Sequence, residues 1–180
     1  MNAVKNVFLA AVWLGLASCS PQLSPFTERL YEEQRWTDDE LRRIQFYLSD
    51  DIVLRRQFSG ADAKIEGGTI KIVGGKQVEE VLIRRGTPGV FLFSPKRNRF
   101  AVSFEAGSDT RFLMFGPNPK ANGRFALLAA DWEREQGTVT YDNRKYQVDA
   151  ASAWATLLVD LKRMSITSVN SRTAQGRKVN

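Results

Sequence analysis

The sequence predicts a mainly β protein: an antiparallel meander of about ten strands that forms a barrel, a half-barrel or a sandwich. Three observations predict it. Short apolar stretches recur from residue 52 to residue 169, several of them alternating with polar residues at strand spacing. Glycine- and asparagine-containing turns separate these stretches at short intervals. No helical crossover pattern lies between them, and short turns join antiparallel neighbours.

One helix is clearly indicated ahead of the strands. Thr37 and Glu40 match a capping box, with Thr37 at the N-cap and Glu40 at the third helical position. Apolar residues then recur at helical spacing as far as Leu48, so we predict a helix over about 38–49. This helix is expected to cover one open end or one face of the sheet. A weaker helix is predicted over 27–34.

Two hairpins are the best-defined strand pairs. Residues 63–66 and 69–72 flank a Gly-Gly turn, which suits a tight hairpin. Residues 138–141 and 145–148 flank Asn143-Arg144 and predict one shared apolar face. The tail after residue 170 is polar and basic, and is either a last edge strand or disordered. The other predicted strands are 52–58, 78–85, 90–93 (paired with 78–85), 99–105, 111–115, 124–132, 153–161 and 166–169.

Two of these strands break the expected alternation. Residues 90–93 and 112–115 are apolar on both faces of the strand. Continuous apolar strands are either covered on both sides or reserve an apolar surface for a ligand or partner. The helix predicted over 38–49 could provide the cover. A lipid-like ligand inside a barrel, or a partner protein, would explain the runs equally well.

Composition excludes several kinds of chemistry. The chain has no histidine and one cysteine. Ser-His-Asp and Cys-His catalysis, zinc sites with His or Cys ligands, and an intrachain disulfide are therefore excluded. We expect a protein that is not an enzyme, with no cofactor and no metal site. The net charge of +6 reflects a solvated surface or an attraction to anionic lipid headgroups, lipopolysaccharide or peptidoglycan carboxylates.

A basic turn is the candidate binding site. Lys96, Arg97 and Arg99 lie close together in the sequence, beside the aromatic residues Phe91 and Phe93. Such a turn could bind a phosphate or carboxylate group of an envelope polymer. The alternative is a solvated hairpin tip.

The acidic residues are explained by structure more readily than by chemistry. Residues 38–40 fit the first turn of the predicted helix, where negative charge is favoured. Asp50 and Asp51 fit the turn that follows it. Paired carboxylates can also serve acid–base hydrolysis or bind calcium, but no calcium-loop pattern occurs.

The N-terminus carries the one resemblance to a known family. Lys5 precedes an apolar run that starts at Val7, as in a secretory signal. The run ends in Leu16-Ala17-Ser18-Cys19, which resembles the lipobox of bacterial lipoproteins. The resemblance implies cleavage before Cys19 and acylation of its sulfur and its amine. Under the enterobacterial sorting rule, Asp directly after the cysteine retains a lipoprotein in the inner membrane. Position 20 is Ser, so the resemblance implies the outer membrane.

This resemblance also divides the chain. It implies a signal peptide over 1–18 and a lipidated N-terminus with a spacer over 19–35. A single β-rich domain over 36–170 and a polar basic tail over 171–180 would follow.

Three functions are compatible with these observations. The first is a non-enzymatic outer-membrane lipoprotein whose periplasm-facing β domain binds a protein partner or an envelope polymer. The second is a carrier or receptor for a lipid-like ligand in a β-barrel cavity. A hydrolase that uses two carboxylates is a third reading, and it needs a carboxylate pair in one cleft. Nucleic acid is not expected as a partner, because the lipobox implies a location outside the cytoplasm.

Overall fold

A computed structural model describes residues 22–57, 69–73, 76–133 and 135–162. Within them the chain forms two antiparallel sheets and two short helices, which confirms the predicted mainly β class. Cys19, the residues before it, the predicted strands at 63–66 and 166–169, and the basic tail lie outside the described residues. The helices are α1 (Glu28–Gln34) and α2 (Asp38–Leu41). The strands are β1 (Leu23–Pro25), β2 (Gln45–Leu48), β3 (Ile52–Gln57), β4 (Thr69–Val73), β5 (Lys76–Ile83), β6 (Pro88–Lys96), β7 (Arg99–Ser103), β8 (Phe112–Asn118), β9 (Arg124–Leu127), β10 (Ala130–Glu133), β11 (Gln136–Tyr141), β12 (Arg144–Asp149) and β13 (Leu157–Asp160).

The strands divide between the two sheets. The seven-stranded sheet has the order β1-β13-β2-β6-β7-β8-β9, and the six-stranded sheet has the order β10-β11-β12-β3-β5-β4. The chain passes from one sheet to the other after β2, β5, β9 and β12. These crossings place the two sheets around one shared core.

The seven-stranded sheet curls until its two ends meet at a seam. The Phe125 amide in β9 donates to the Phe26 carbonyl oxygen over 3.0 Å, and the Leu127 amide donates to the Ala155 carbonyl oxygen over 3.0 Å. Two isolated bridges accompany these bonds. Because the contact is made by single bridges, the sheets are not closed into a barrel. Of the three predicted architectures, the structure is consistent with the half-barrel and the sandwich.

A cluster of phenylalanine rings fills the curled sheet. Phe26, Phe46, Phe100 and Phe125 are all fully buried. The ring centroids of Phe26 and Phe125 are 4.9 Å apart, and those of Phe100 and Phe125 are 4.7 Å apart. Ring pairs at such distances add about 0.5–1.5 kcal/mol beyond the burial of their area.

The core extends from this cluster to the six-stranded sheet. Leu54, Val81 and Val148 contribute buried side chains from its strands β3, β5 and β12. All of the core residues lie between Phe26 and Val159. A chain that begins at residue 20 therefore retains the whole described core.

Helix α2 begins as predicted. The Thr37 hydroxyl oxygen accepts a hydrogen bond from the Glu40 amide over 3.3 Å, and the Glu40 carboxylate accepts one from the Thr37 amide over 2.8 Å. This reciprocal pair is the predicted capping box. It satisfies amides at the start of the helix that have no partner within it.

The predicted extent of this helix is wrong, because the helix ends at Leu41 and residues 45–48 form β2. Phe46 and Leu48 are fully buried, whereas Gln45 and Tyr47 are partly exposed. The apolar spacing fits a helix and a strand nearly equally over so short a segment. Residues 45–48 adopt the strand because they pair with β6 on one side and with β13 on the other.

The N-terminal segment is folded rather than a spacer. Strand β1 pairs with β13, and Phe26 is fully buried. The weaker predicted helix is confirmed as α1, where the Thr27 hydroxyl oxygen accepts from the Leu30 amide over 3.2 Å. The assignment of residues 23–34 to a spacer is therefore corrected. No helix in the described part of the chain is long and apolar enough to cross a membrane.

Long-range pairing also corrects several predicted strands. The pairing of 78–85 with 90–93 is wrong, because β5 and β6 belong to different sheets and the chain crosses between them. The predicted strand 124–132 is divided between β9 and β10, one in each sheet. The predicted strand 153–161 is confirmed only over β13, since Ser152–Trp154 is a 3-10 turn. The hairpin over 138–148 is confirmed, with Val139 opposite Tyr146.

Replacing Phe100 by Ala should lower the free energy of unfolding by about 3–5 kcal/mol, because the cavity would lie at the centre of the ring cluster. Urea denaturation of residues 20–180 measures this. Phe93→Ala is the matched control, since Phe93 is 38% exposed and contacts one ring. Equal losses in the two variants would contradict the assignment of the ring cluster as the centre of the core.

Candidate functional site

An open cleft of about 590 Å³ lies between α1 and the turn that joins β6 to β7. Arg97 of the predicted basic turn forms one wall. The other wall comes from α1 and the residues directly after it. The cleft is lined by Tyr31, Glu32, Arg35, Trp36 and Arg97.

Both aromatic residues of the cleft are anchored in the core. The Tyr31 ring meets the Phe100 ring edge to face, with centroids 5.2 Å apart. The Trp36 ring stacks on Phe26 at 5.9 Å and an interplanar angle of 24°. Tyr31 and Trp36 are both partly buried. The aromatic wall is therefore held by contacts with core rings and is still reachable from solvent.

The two arginines of the cleft are free to bind a ligand. Arg35 ends α1 in the left-handed conformation, with φ of 51°, and its amide donates to the Tyr31 carbonyl oxygen over 3.0 Å. Both arginines are exposed. Neither the Arg35 nor the Arg97 side chain forms a hydrogen bond or ion pair in the described part of the chain. With Glu32 as the only carboxylate in the lining, the cleft carries a net positive charge.

The turn that carries Arg97 is fixed to α1. Asn98 has a positive φ of 61°, and its side-chain amide donates to the Glu28 carboxylate over 2.7 Å. The Asn98 side-chain oxygen is buried and has no hydrogen-bond partner. A buried acceptor without a partner costs about 1–3 kcal/mol. The hydrogen bond to Glu28 holds the two walls of the cleft together despite that cost.

The other predicted site residues are divided between the core and a different surface. Phe91 is 2% exposed and belongs to the core, so it is not part of a binding surface. Phe93, Lys96 and Arg99 are exposed, but they do not line the cleft. The structure thus brings only Arg97 of the predicted set into this site. Sequence reasoning missed Tyr31, Glu32, Arg35 and Trp36, because no local pattern relates them to Arg97.

Four of the five acidic residues of the predicted clusters have structural partners: Asp39, Glu40, Asp50 and Asp51. Asp39 pairs with Arg42 over 2.7 Å. Asp51 accepts a hydrogen bond from the Arg85 amide over 2.7 Å, and Asp50 accepts one from the Ser49 hydroxyl over 2.7 Å. No group of three potential metal ligands occurs among the described residues. These carboxylates stabilise turns and the start of α2.

A buried ion pair lies on the core side of the six-stranded sheet. Glu79 is 2% exposed, and Arg56 donates two hydrogen bonds to one of its oxygens, at 2.7 and 3.0 Å. The Arg56 guanidinium lies 5.9 Å from the centre of the Tyr146 ring. Because the pair sits directly opposite across β3 and β5, it helps to set their register.

A polar network ties the loop after β7 to the turn between β11 and β12. Arg111 bridges Glu105 at 3.2 Å and Asp142 at 3.5 Å. The Thr110 hydroxyl donates to Asp142 over 2.6 Å and holds the pKa of that carboxyl below its ordinary value. Nearby, burial raises the pKa of the Tyr141 phenol, whose oxygen has no hydrogen-bond partner. Glu105 and Asp142 both pair with Arg111. We therefore interpret the network as a structural link between the two loops rather than as an acid–base pair.

Comparison of this chain with protein-family models, with curated proteins and with solved structures found no match. No relative supplies a function or a set of site residues. The function proposed for this chain therefore rests on the chemistry of the cleft and on the resemblance of Leu16-Ala17-Ser18-Cys19 to a lipobox.

Replacing Asp142 by Asn should lower the free energy of unfolding at neutral pH by about 1–2 kcal/mol, because a charge-assisted hydrogen bond is lost. It should also flatten the dependence of stability on pH in acid. The pKa of Asp142 is lowered in the folded state, so its contribution is complete above the unfolded-state pKa and is lost as the pH falls through the folded-state value.

Urea denaturation between about pH 5 and about pH 2 measures this effect. Asp109→Asn is the control, because Asp109 is exposed and its side chain has no hydrogen bond or ion pair in the described part of the chain. An acid profile of Asp142→Asn that parallels the unsubstituted protein would contradict the role given to Thr110.

Proposed function

We propose that this chain is a lipid-anchored, non-enzymatic protein of the bacterial outer membrane whose periplasmic domain binds an anionic glycan such as peptidoglycan. The observation that supports this most is the cleft in which Arg35 and Arg97 stand beside Tyr31 and Trp36. The location rests on the resemblance of Leu16-Ala17-Ser18-Cys19 to a lipobox.

The chemistry of the cleft favours a glycan that carries carboxylates. A guanidinium presents a rigid fork of donors that matches a carboxylate. An aromatic face offers a flat apolar surface against which the C–H groups of a sugar ring can pack. The cleft is open, so a polymer can pass through it without a free end. These features favour the polymer over a protein partner, which would bury a much wider area.

The carrier for a lipid-like ligand is less well supported. Such a carrier needs an apolar cavity of roughly 300 Å³ or more. The curled sheet is filled by the rings of Phe26, Phe46, Phe100 and Phe125. Charged residues line the cleft itself. Neither the ring cluster nor the cleft offers an apolar binding site for acyl chains.

Replacing Arg35 or Arg97 by Gln should weaken binding of soluble peptidoglycan fragments by about fivefold each, since each partly exposed ion pair contributes about 1 kcal/mol. Titration calorimetry with residues 20–180 measures the affinity. Neutral chitooligosaccharides should bind weakly and equally to all variants, because they carry no carboxylate. Trp36 lies in the cleft, so its fluorescence should change on binding.

Arg84→Gln is the matched control, since Arg84 is exposed and lies outside the cleft. It should bind like the unsubstituted chain. If Arg84→Gln weakens binding as much as Arg97→Gln, the attraction is a general charge effect and the cleft is not the site. No binding of any fragment by the unsubstituted chain would exclude the glycan.

Cys19→Ser should abolish incorporation of labelled palmitate and should make the protein extractable from membranes by high salt. The physical reason is that two acyl chains or more hold a protein stably, whereas surface charge alone is screened. Cell fractionation of the full chain measures both properties. A Cys19→Ser protein that resists salt extraction as the unsubstituted protein does would contradict the anchor.

A further inference from the structure

A second surface with binding chemistry lies on the outer face of β6, β7 and β8. The Phe93 and Phe112 rings meet there edge to face, with centroids 5.2 Å apart. Val90 is 46% exposed and Phe93 is 38% exposed. Met114 is partly buried on the same face. These four residues are the apolar patch.

A β-bulge in β6 creates this patch. Phe91 pairs with Val102, whereas Phe93 pairs with the preceding residue, Ala101, so Leu92 is the extra residue between them. Phe91 therefore points into the core and Phe93 points outward. In a regular strand both rings would lie on one face. The bulge explains why the run is apolar throughout and why part of it stays exposed.

Two cations share this face. Strands β6 and β7 form a hairpin in which Lys96 and Arg99 are direct partners, so these two residues lie on the same face. Arg99 is two residues from Ala101, the partner of Phe93, and therefore belongs to the outer face. Both side chains are exposed, and neither forms a hydrogen bond or ion pair in the described part of the chain. Arg97 between them lines the cleft instead.

We propose that the apolar patch, together with Lys96 and Arg99, rests on the surface of an anionic lipid bilayer. A bilayer surface offers phosphates to cations and an acyl boundary to apolar rings at one depth. No carboxylate is among the residues assigned to this face, so its charge complements anionic headgroups. Only two residues of the patch are more than a third exposed, whereas a specific protein interface takes about 20–30 residues a side.

This contact is independent of the proposed anchor and of the glycan. It uses residues on the outer face of the hairpin, and the cleft uses the turn residue Arg97 and α1. A chain without Cys19 retains the whole surface. Vesicle binding by residues 20–180 therefore tests this surface alone.

The test is sedimentation of residues 20–180 with vesicles of phosphatidylglycerol and phosphatidylethanolamine. The chain should bind these vesicles, bind phosphatidylcholine vesicles far more weakly, and dissociate as salt is raised. Each cation near an anionic surface raises the partition coefficient onto the vesicles about fivefold. The double variant Lys96→Gln/Arg99→Gln should therefore lower that coefficient about 25-fold. Phe93→Ser should weaken it by about tenfold through the lost apolar contact.

Matched controls lie on other surfaces. Leu82→Ser changes an apolar residue that is 41% exposed on the six-stranded sheet. Arg84→Gln/Lys145→Gln removes two exposed charges that lie outside the β6–β7 hairpin. Both controls should bind vesicles as the unsubstituted chain does. Circular dichroism checks folding, and the charge variant keeps the test decisive if Phe93→Ser does not fold.

Several results would overturn the proposal. One is failure of the unsubstituted chain to bind anionic vesicles. A second is binding of Lys96→Gln/Arg99→Gln to anionic vesicles that is as tight as that of the unsubstituted chain. A third is a loss of binding in the control variants as large as the loss in Lys96→Gln/Arg99→Gln. If Phe93→Ser instead turns a dimer into a monomer without changing vesicle binding, the face is a contact between copies of this chain and the lipid proposal fails.

Discussion

Phe26 is the residue on which the rest of the structure depends. Its amide donates to the Leu157 carbonyl oxygen over 2.9 Å, and its own carbonyl oxygen accepts from the Phe125 amide over 3.0 Å. One residue therefore joins the two ends of the curled sheet. Its ring also packs against Phe46 and Phe125 inside the curl. Bringing the two ends of the sheet together covers part of their exposed edges and encloses a core within a small domain.

The cleft follows from the same contact. Helix α1 starts two residues after Phe26, and the ring of Trp36, beyond its other end, stacks on Phe26. The helix is thus held at both ends against the seam. Tyr31 and Trp36 pack against core rings and also line the cleft. The side chains of Arg35 and Arg97 form no hydrogen bond or ion pair in the described part of the chain, which leaves their charges to a ligand.

The sequence predicted what local chemistry decides. The capping box at Thr37, the weaker helix predicted over 27–34 and the hairpin around Asn143 depend on residues a few positions apart, and all three are present. The end of α2 was not predictable in this way. Phe46 lies in a strand because β6 and β13, far along the chain, pair on either side of it. Arg97 was identified by charge, but its companions in the cleft come from a segment that only the folded seam brings near.

The most direct test of the central claim is to map the binding site at residue resolution. Chemical shifts of ¹⁵N-labelled residues 20–180 would be followed as soluble peptidoglycan fragments are added. We expect the shifts to concentrate at the Trp36 indole, at Arg35, and at the backbone of Arg97 and Asn98. Shifts concentrated on β10, β11 and β12, or no shifts at saturating ligand, would contradict this expectation.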